Sequence, residues 1–159
     1  ADDLMVASPS VTAQMVNQFE QHQSSVIAVQ DIPREHTNRY GIVSGSALNQ
    51  NMAAINGIVE KPEPANAPST LAVAGRYVLT PRIFEELATT TKGAGGELQL
   101  TDAIANLLNK EKVFAFRYQG KRYDCGSKLG YLKASVEFAL RHPEVSKDFA
   151  AYLKDRSLI

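Results

Sequence analysis

Charged residues stand where two strands are expected to end. In residues 57–64, GIVEKPEP, a short apolar run stops at Glu60, Lys61 and Pro62. Side chains alternate faces along a strand, so Glu60 and Lys61 are expected to diverge, each meeting its own partner or only water. A lysine at a strand end can attract a phosphate as a point charge, and a solvated surface lysine is the competing reading. The other candidates are acids at two separate places in the chain. Asp124 ends a strand-like run and precedes Cys125-Gly126, while Asp2 and Asp3 stand at the start of the chain. Carboxylates at strand ends suit metal or phosphate sites, because open α/β sheets bind ligands at the carboxyl ends of their strands. Asp is equally at home as a turn or helix cap.

Other chemical signals are weaker. The glycine-rich GAGG, residues 93–96, lacks the GxxxxGK[ST] pattern of a phosphate loop, and no GxGxxG follows a strand. It reads as a flexible loop before a helix. His22, His36 and His142 have no metal-ligand spacing. Cys125 has no nearby histidine and reads as a small buried residue in a tight turn. There is no GxSxG elbow, and no interleaving of basic and aromatic residues for single-stranded nucleic acid.

The 159 residues suffice for one domain with a core, and 44% hydrophobic with 21% charged residues is globular composition. Formal net charge is zero, which excludes a whole-molecule basic field for nucleic acid. No apolar run approaches the roughly 20 residues of a membrane helix. One cysteine excludes an internal disulfide and a thiolate cluster, and suits a reducing cytoplasm. The start, ADDLMVASPS, has acids where a secretory signal carries basic residues, and suggests a chain that begins inside a larger protein.

The elements that must carry these groups alternate. Val11, Met15, Val16 and Phe19 form a helical stripe over 9–23, with Ser8 before Pro9 as the cap. Strands are expected at 24–32, 39–45, 54–61, 71–79 and 112–120, with the proline-rich 62–69 as a loop. Thr80 should cap a short helix and Thr101 another. KRYDCGS, 121–127, should end the preceding strand or start a short hairpin. A helix over 128–142 should turn Leu129, Leu132, Val136 and Leu140 inward, and a last amphipathic helix covers 146–156. Interleaved strands and helices mean an α/β fold with a mixed sheet.

Taken in order, NRYGIVSG, INGIVEKPEP, APSTLAVAGRYVLTPRIFEEL, GAGGELQLTDAIANLL and GKRYDCGSKLGYLKASVEFALRHPE resemble the bacterial UTP–glucose-1-phosphate uridylyltransferases, the UDP-glucose pyrophosphorylases. The resemblance covers nearly the whole chain. Only the family's C-terminal, sugar-side half is matched, about 55% of a member judged by length. The resemblance therefore implies that residues 1–159 are part of a Rossmann-like sugar nucleotidyltransferase domain, a mixed sheet flanked by helices. The nucleotide-binding half lies outside it.

The resemblance further implies transfer of uridylyl from UTP to glucose 1-phosphate, giving UDP-glucose and pyrophosphate, with Mg²⁺, in a cytoplasmic homo-oligomer. Residue by residue, it makes Asp2 and Asp124 the metal aspartates and Lys61 the contact to the sugar phosphate. Glu60 becomes the acceptor for glucose hydroxyls, Gly41 the backbone against the sugar, and Val73 a sugar-contacting strand position. Asp3 is left as a spare acid, supporting the metal aspartates or solvated. Two alternatives stay open: a non-catalytic module for sugar-phosphate binding or assembly, and another base such as thymine. A truncated sheet is also expected to expose edges and associate.

Overall fold

The computed structural model of the chain describes residues 2–93 and 96–157. The elements run β1 (Asp3–Val6), α1 (Val11–His22), β2 (Ser25–Asp31), a 3₁₀ helix (Arg34–Arg39), β3 (Gly41–Ala47), β4 (Met52–Glu60), β5 (Leu71–Val78), α2 (Ile83–Thr89), α3 (Leu100–Leu107), β6 (Val113–Arg117), β7 (Lys121–Asp124), α4 (Lys128–Ala139) and α5 (Ser146–Asp155). The α/β class and mixed sheet follow the expectation. The chain divides into two compact units. One spans Ala7–Gln119; the other joins the N-terminal segment up to Val6 with the chain from Gly120 onward.

In the Ala7–Gln119 unit, five strands lie in the order β2-β5-β3-β4-β6 and close on themselves. The closing pair, β6 with β2, is parallel, and the other pairs are antiparallel. Among the described residues closure leaves no free sheet edge in this unit, so the open edges expected of a truncated sheet are found only in the two-stranded sheet of β1 and β7. The sequence reason is continuous apolar strands. Val26 to Val29, Leu71 to Ala74 and Val113 to Phe116 are buried at every position, so both faces of these strands are covered. Ala103, Ile104 and Leu107 of α3 join this core, with Ile83 of α2 beside them. The register between β2 and β5 slips between Ile27 and Val29, and Gly75 on β5 takes φ +67 there, a conformation favouring glycine.

Polar ties secure the unit. Glu111 Oε1 accepts from Ser25 Oγ at 2.9 Å and Thr80 Oγ1 at 2.8 Å. Arg117 donates to both oxygens of Asp31, at 2.8 and 3.1 Å. These bonds hold the Asp31 carboxyl below its ordinary pKa. The expected caps shift. Ser10, not Ser8, caps α1 by accepting from Ala13 N at 3.2 Å. Thr80 is spent on Glu111, and α2 begins after Arg82 without a side-chain cap. Thr101 lies inside α3, which follows Gln99. Local sequence marks a helix start to within a turn, and long-range contacts choose the residue.

In the other unit, β1 pairs antiparallel with β7, in register Asp3 with Asp124 through Val6 with Lys121. The KRYDCGS stretch is thus a separate strand paired to the chain's beginning, not the end of β6 or half of a local hairpin. Ser127 caps α4, accepting from Gly130 N at 3.0 Å while donating to the Asp124 carbonyl at 3.0 Å. The apolar stripe of α4 is not inside. Leu129 and Leu132 are 62% and 60% exposed, Val136 and Leu140 are also exposed, and Ala134 alone of the helix is buried. Helical spacing tells which residues share a face, not whether anything covers it.

Candidate active site

The larger unit gathers four of the six expected residues. Gly41 opens β3 and is the ladder partner of Glu60, the last residue of β4. On the other side of β3, Ile42 pairs with Ala72 of β5, so Val73 falls beside Gly41. Glu60, Gly41 and Val73 therefore form one row across three strands. Missing a Cβ, Gly41 lets neighbouring side chains close onto the backbone of that row. An added Cβ would lie 3.3 Å from Glu60 Oε2 and 3.5 Å from Val73 Cγ2. It would lie 3.0 Å from the methyl of Thr101, tighter than ordinary contact.

Thr101 is the residue that sequence reasoning missed, having read it as a helix cap. It is buried, and among the described residues its hydroxyl has no hydrogen-bond partner. A buried, unpartnered hydroxyl is costly and calls for an explanation. A signal was present in LQLTDAI: Thr101 sits where the apolar face of α3 should be, between Leu100 and Ile104.

Lys61 corrects the expectation of diverging charges. Its ammonium lies 3.6 Å from Glu60 Oε1, with the Glu60 side chain 16% and the Lys61 side chain 58% exposed. Alternation fails because β4 ends at Glu60 and Lys61 takes φ +46, the left-handed region that a lysine rarely enters. That turn swings its side chain to the Glu60 side. Held conformations of this kind persist only where their surroundings over-determine them.

The smaller unit brings together the other two. Asp2 and Asp124 are 122 positions apart in sequence. Cys125 N donates to the Asp2 carbonyl at 2.9 Å, carrying the β1–β7 pairing one step past Asp124. Gly126 N donates to Asp124 Oδ1 at 3.1 Å. A Cβ on Gly126 would collide with the Asp2 carboxylate and lie 3.2 Å from Asp124 Oδ1. Both carboxylates thus face the space kept open by this glycine. Two hard oxygen donors beside open space fit a divalent cation that takes its remaining ligands from phosphate and water. Among the described residues no group of three or more His, Cys, Asp or Glu could hold a metal. Of the two expectations for Asp3, a supporting acid beside the metal aspartates or a solvated one, the solvated one fails. Arg122 grips its Oδ1 at 2.6 Å, both side chains being largely buried.

The GAGG reading falls partly on Ala94 and Gly95, which lie outside the described residues. No helix among the described residues is long and apolar enough to cross a membrane.

A nucleotidyl transferase family model matches residues 1–140. A UTP–glucose-1-phosphate uridylyltransferase of Staphylococcus epidermidis is 44% identical over 153 residues, covering 96% of this chain and 53% of that protein. A crystal structure of a UDP-glucose pyrophosphorylase complexed with UDP-glucose superposes with a TM-score of 0.85 at 40% identity, covering 89% of this chain and 54% of the other. A UTP-bound enzyme of this kind from Acinetobacter baumannii matches with a TM-score of 0.82 at 39% identity, over 96% of this chain and 53% of the other. The chain spans about half the length of the curated relatives it matches.

Proposed function

Because this chain belongs to the nucleotidyl transferase family, we propose that it carries the acceptor and metal groups of an enzyme that transfers uridylyl from UTP to glucose 1-phosphate. The products are UDP-glucose and pyrophosphate. The observation that carries the reading is the row of Glu60, Gly41 and Val73, with side chains close on the bare backbone of Gly41 and Lys61 turned beside it.

In this reading glucose lies over Gly41, where the missing Cβ lets a ring approach the backbone. Glu60 accepts hydrogen bonds from its hydroxyls, Val73 packs on the ring, and the idle Thr101 hydroxyl is available to it. Lys61 meets the phosphate. Its pairing with Glu60 at 3.6 Å is easily exchanged, since exposed ion pairs are worth about 0–1 kcal/mol. Sugar-phosphate binding then replaces one charge pair by two separate contacts. An oxygen of the glucose 1-phosphate attacks the α-phosphorus of UTP in line, and pyrophosphate leaves. Positioning and charge neutralisation dominate such transfers.

Asp2 and Asp124 would hold Mg²⁺, which when bound supplies charge stabilisation to the phosphate oxygens. Gly126 keeps their shared space open, and Arg122, through Asp3, braces β1 on β7 beside them. The same reading includes a cytoplasmic homo-oligomer, for which the exposed Leu129, Leu132 and Val136 of α4 offer an apolar face.

The test is a titration of the isotope-labelled chain with glucose 1-phosphate, then UDP-glucose, followed by NMR. Shifts should concentrate at Gly41, Glu60, Lys61, Val73 and Thr101, and Lys61→Ala should weaken binding about tenfold or more. Absence of shifts at this row would overturn the reading. UDP-glucose formation from UTP in the same sample separates catalysis from binding alone, and substituting TTP tests the base.

A further inference from the structure

We propose that Arg34 is a positioning residue that holds the loop after Lys61 and thereby fixes the left-handed backbone from which the Lys61 ammonium projects. The proposal rests on the reading of Lys61 as the phosphate contact. It starts from a chemical deficit in the loop. Residues 62–69 contain Pro62, Pro64 and Pro68, three positions without an N–H. Such a segment has more carbonyl acceptors than donors, and its buried carbonyls need donors from elsewhere.

Side chains of the 3₁₀ helix supply donors to three of them, next to a backbone bond at its end. Tyr40, just past its end, accepts from Lys61 N at 3.0 Å, continuing the β3–β4 ladder by one rung. The fully buried Thr37 sits with its hydroxyl 3.3 Å from the Pro62 carbonyl and 2.9 Å from the Arg34 carbonyl, so its proton is available to either. Arg34 Nη1 then donates to both the Pro64 and Ala67 carbonyls, each at 3.0 Å. Moving back along the 3₁₀ helix from 40 to 37 to 34, the partners advance along the loop from 61 to 62 to 64 and 67.

Lys61 lies at the first rung of this zipper, with φ +46. A lysine pays about 1 kcal/mol or more for that conformation, so it needs fixed neighbours on both sides. The β4 ladder fixes Glu60, and the zipper fixes Pro62 onward. The same loop leads to β5 and Val73, so the clamp also holds the chain that joins Lys61 to the Val73 end of the row.

Arg34 is exposed, so its removal leaves the core intact. The experiment compares wild type, Arg34→Ala and Arg34→Lys, with Thr37→Val as a second way to open the zipper. Three quantities are read on the chain: the Lys61 three-bond amide–Hα coupling, which reports φ; the affinity for glucose 1-phosphate; and Tm. Arg34→Ala should move the Lys61 coupling and weaken glucose 1-phosphate about fivefold while lowering Tm by only a few degrees. Arg34→Lys, which keeps a donor but loses the planar fork, should recover part of both effects. An unchanged Lys61 coupling in Arg34→Ala and Thr37→Val overturns the proposal whatever the affinity does. A moved coupling with wild-type affinity overturns the functional part. If wild type itself does not bind glucose 1-phosphate, the sugar-phosphate reading fails, while a moved coupling still upholds the hold of Arg34 on Lys61.

Discussion

The Ala7–Gln119 unit and the β1–β7 unit solve different problems. In the first, five strands close, apolar runs are covered on both faces, and helices α2 and α3 complete a continuous core. In the second, two four-residue strands pair from opposite ends of the sequence, and α4 leaves Leu129, Leu132 and Val136 exposed. Two strands alone are marginally stable in water. Their sequence separation adds a loop-closure cost that grows only slowly with length. What the second unit has instead is concentrated polar order: the Arg122–Asp3 pair, the Ser127 cap and the turn that aims Asp124 at the Gly126 space. Burial secures the unit with the Gly41 row, and a few hydrogen bonds secure the unit with the acids.

The largest expected consequence is in hydrogen exchange. Amides of β2, β5 and β6 should exchange on the order of a hundredfold more slowly than those of β1 and β7. Equal protection would erase the contrast.

The glycines sharpen it at the next level. Gly126→Ala puts a methyl into the Asp2 carboxylate and should weaken Mn²⁺ binding, followed by paramagnetic line broadening at Asp2 and Asp124, about tenfold or more. Gly41→Ala meets the Thr101 methyl at 3.0 Å, the flexible Glu60 carboxylate at 3.3 Å and Val73 Cγ2 at 3.5 Å. It should weaken glucose 1-phosphate a few-fold by pushing Glu60 and Thr101 out of place, leaving Mn²⁺ broadening unchanged. An effect of Gly41→Ala on Mn²⁺ would show that the two groups of residues are not separable.

The smallest effect concerns charge in the larger unit. Asp31 has its carboxyl pKa lowered by the Arg117 hydrogen bonds, so its contribution is present above its unfolded pKa. It is lost as pH falls through the depressed folded value, below the reference 3.8. The Asp31 side chain is 60% exposed, so solvent screening limits the pair to about 0.5 kcal/mol. Asp31→Asn should therefore lower Tm slightly at neutral pH, with the difference from wild type vanishing in strong acid. A difference that persists there would mean that Asp31 acts through packing rather than charge.

Much of the molecule was legible in the residues. The strand runs 24–32 and 71–79 match β2 and β5 to within a residue or so, since their continuous apolar, β-branched character suits only a covered strand. The motif around Glu60 and Lys61 was recognisable, because its residue types stand together in one short stretch. The geometry of that pair was not. Alternation holds inside a strand, and nothing in GIVEKPEP says that the strand stops one residue before Lys61. Likewise the α4 stripe showed a face without showing its cover, and Thr101 looked like a cap until Gly41 was found beneath it.

The sequence by itself determined the α/β class, the proline-rich loop, the family likeness and the chemical types at Asp2, Glu60, Lys61 and Asp124. These depend on local preference and on composition, which neighbouring residues settle among themselves. Only the tertiary structure decided that β7 leaves β6 to pair with the start of the chain, that five strands close, and that Lys61 turns back to Glu60. Those outcomes depend on contacts between segments tens of residues apart, where burial and backbone hydrogen bonds outweigh local preference by amounts no short stretch encodes.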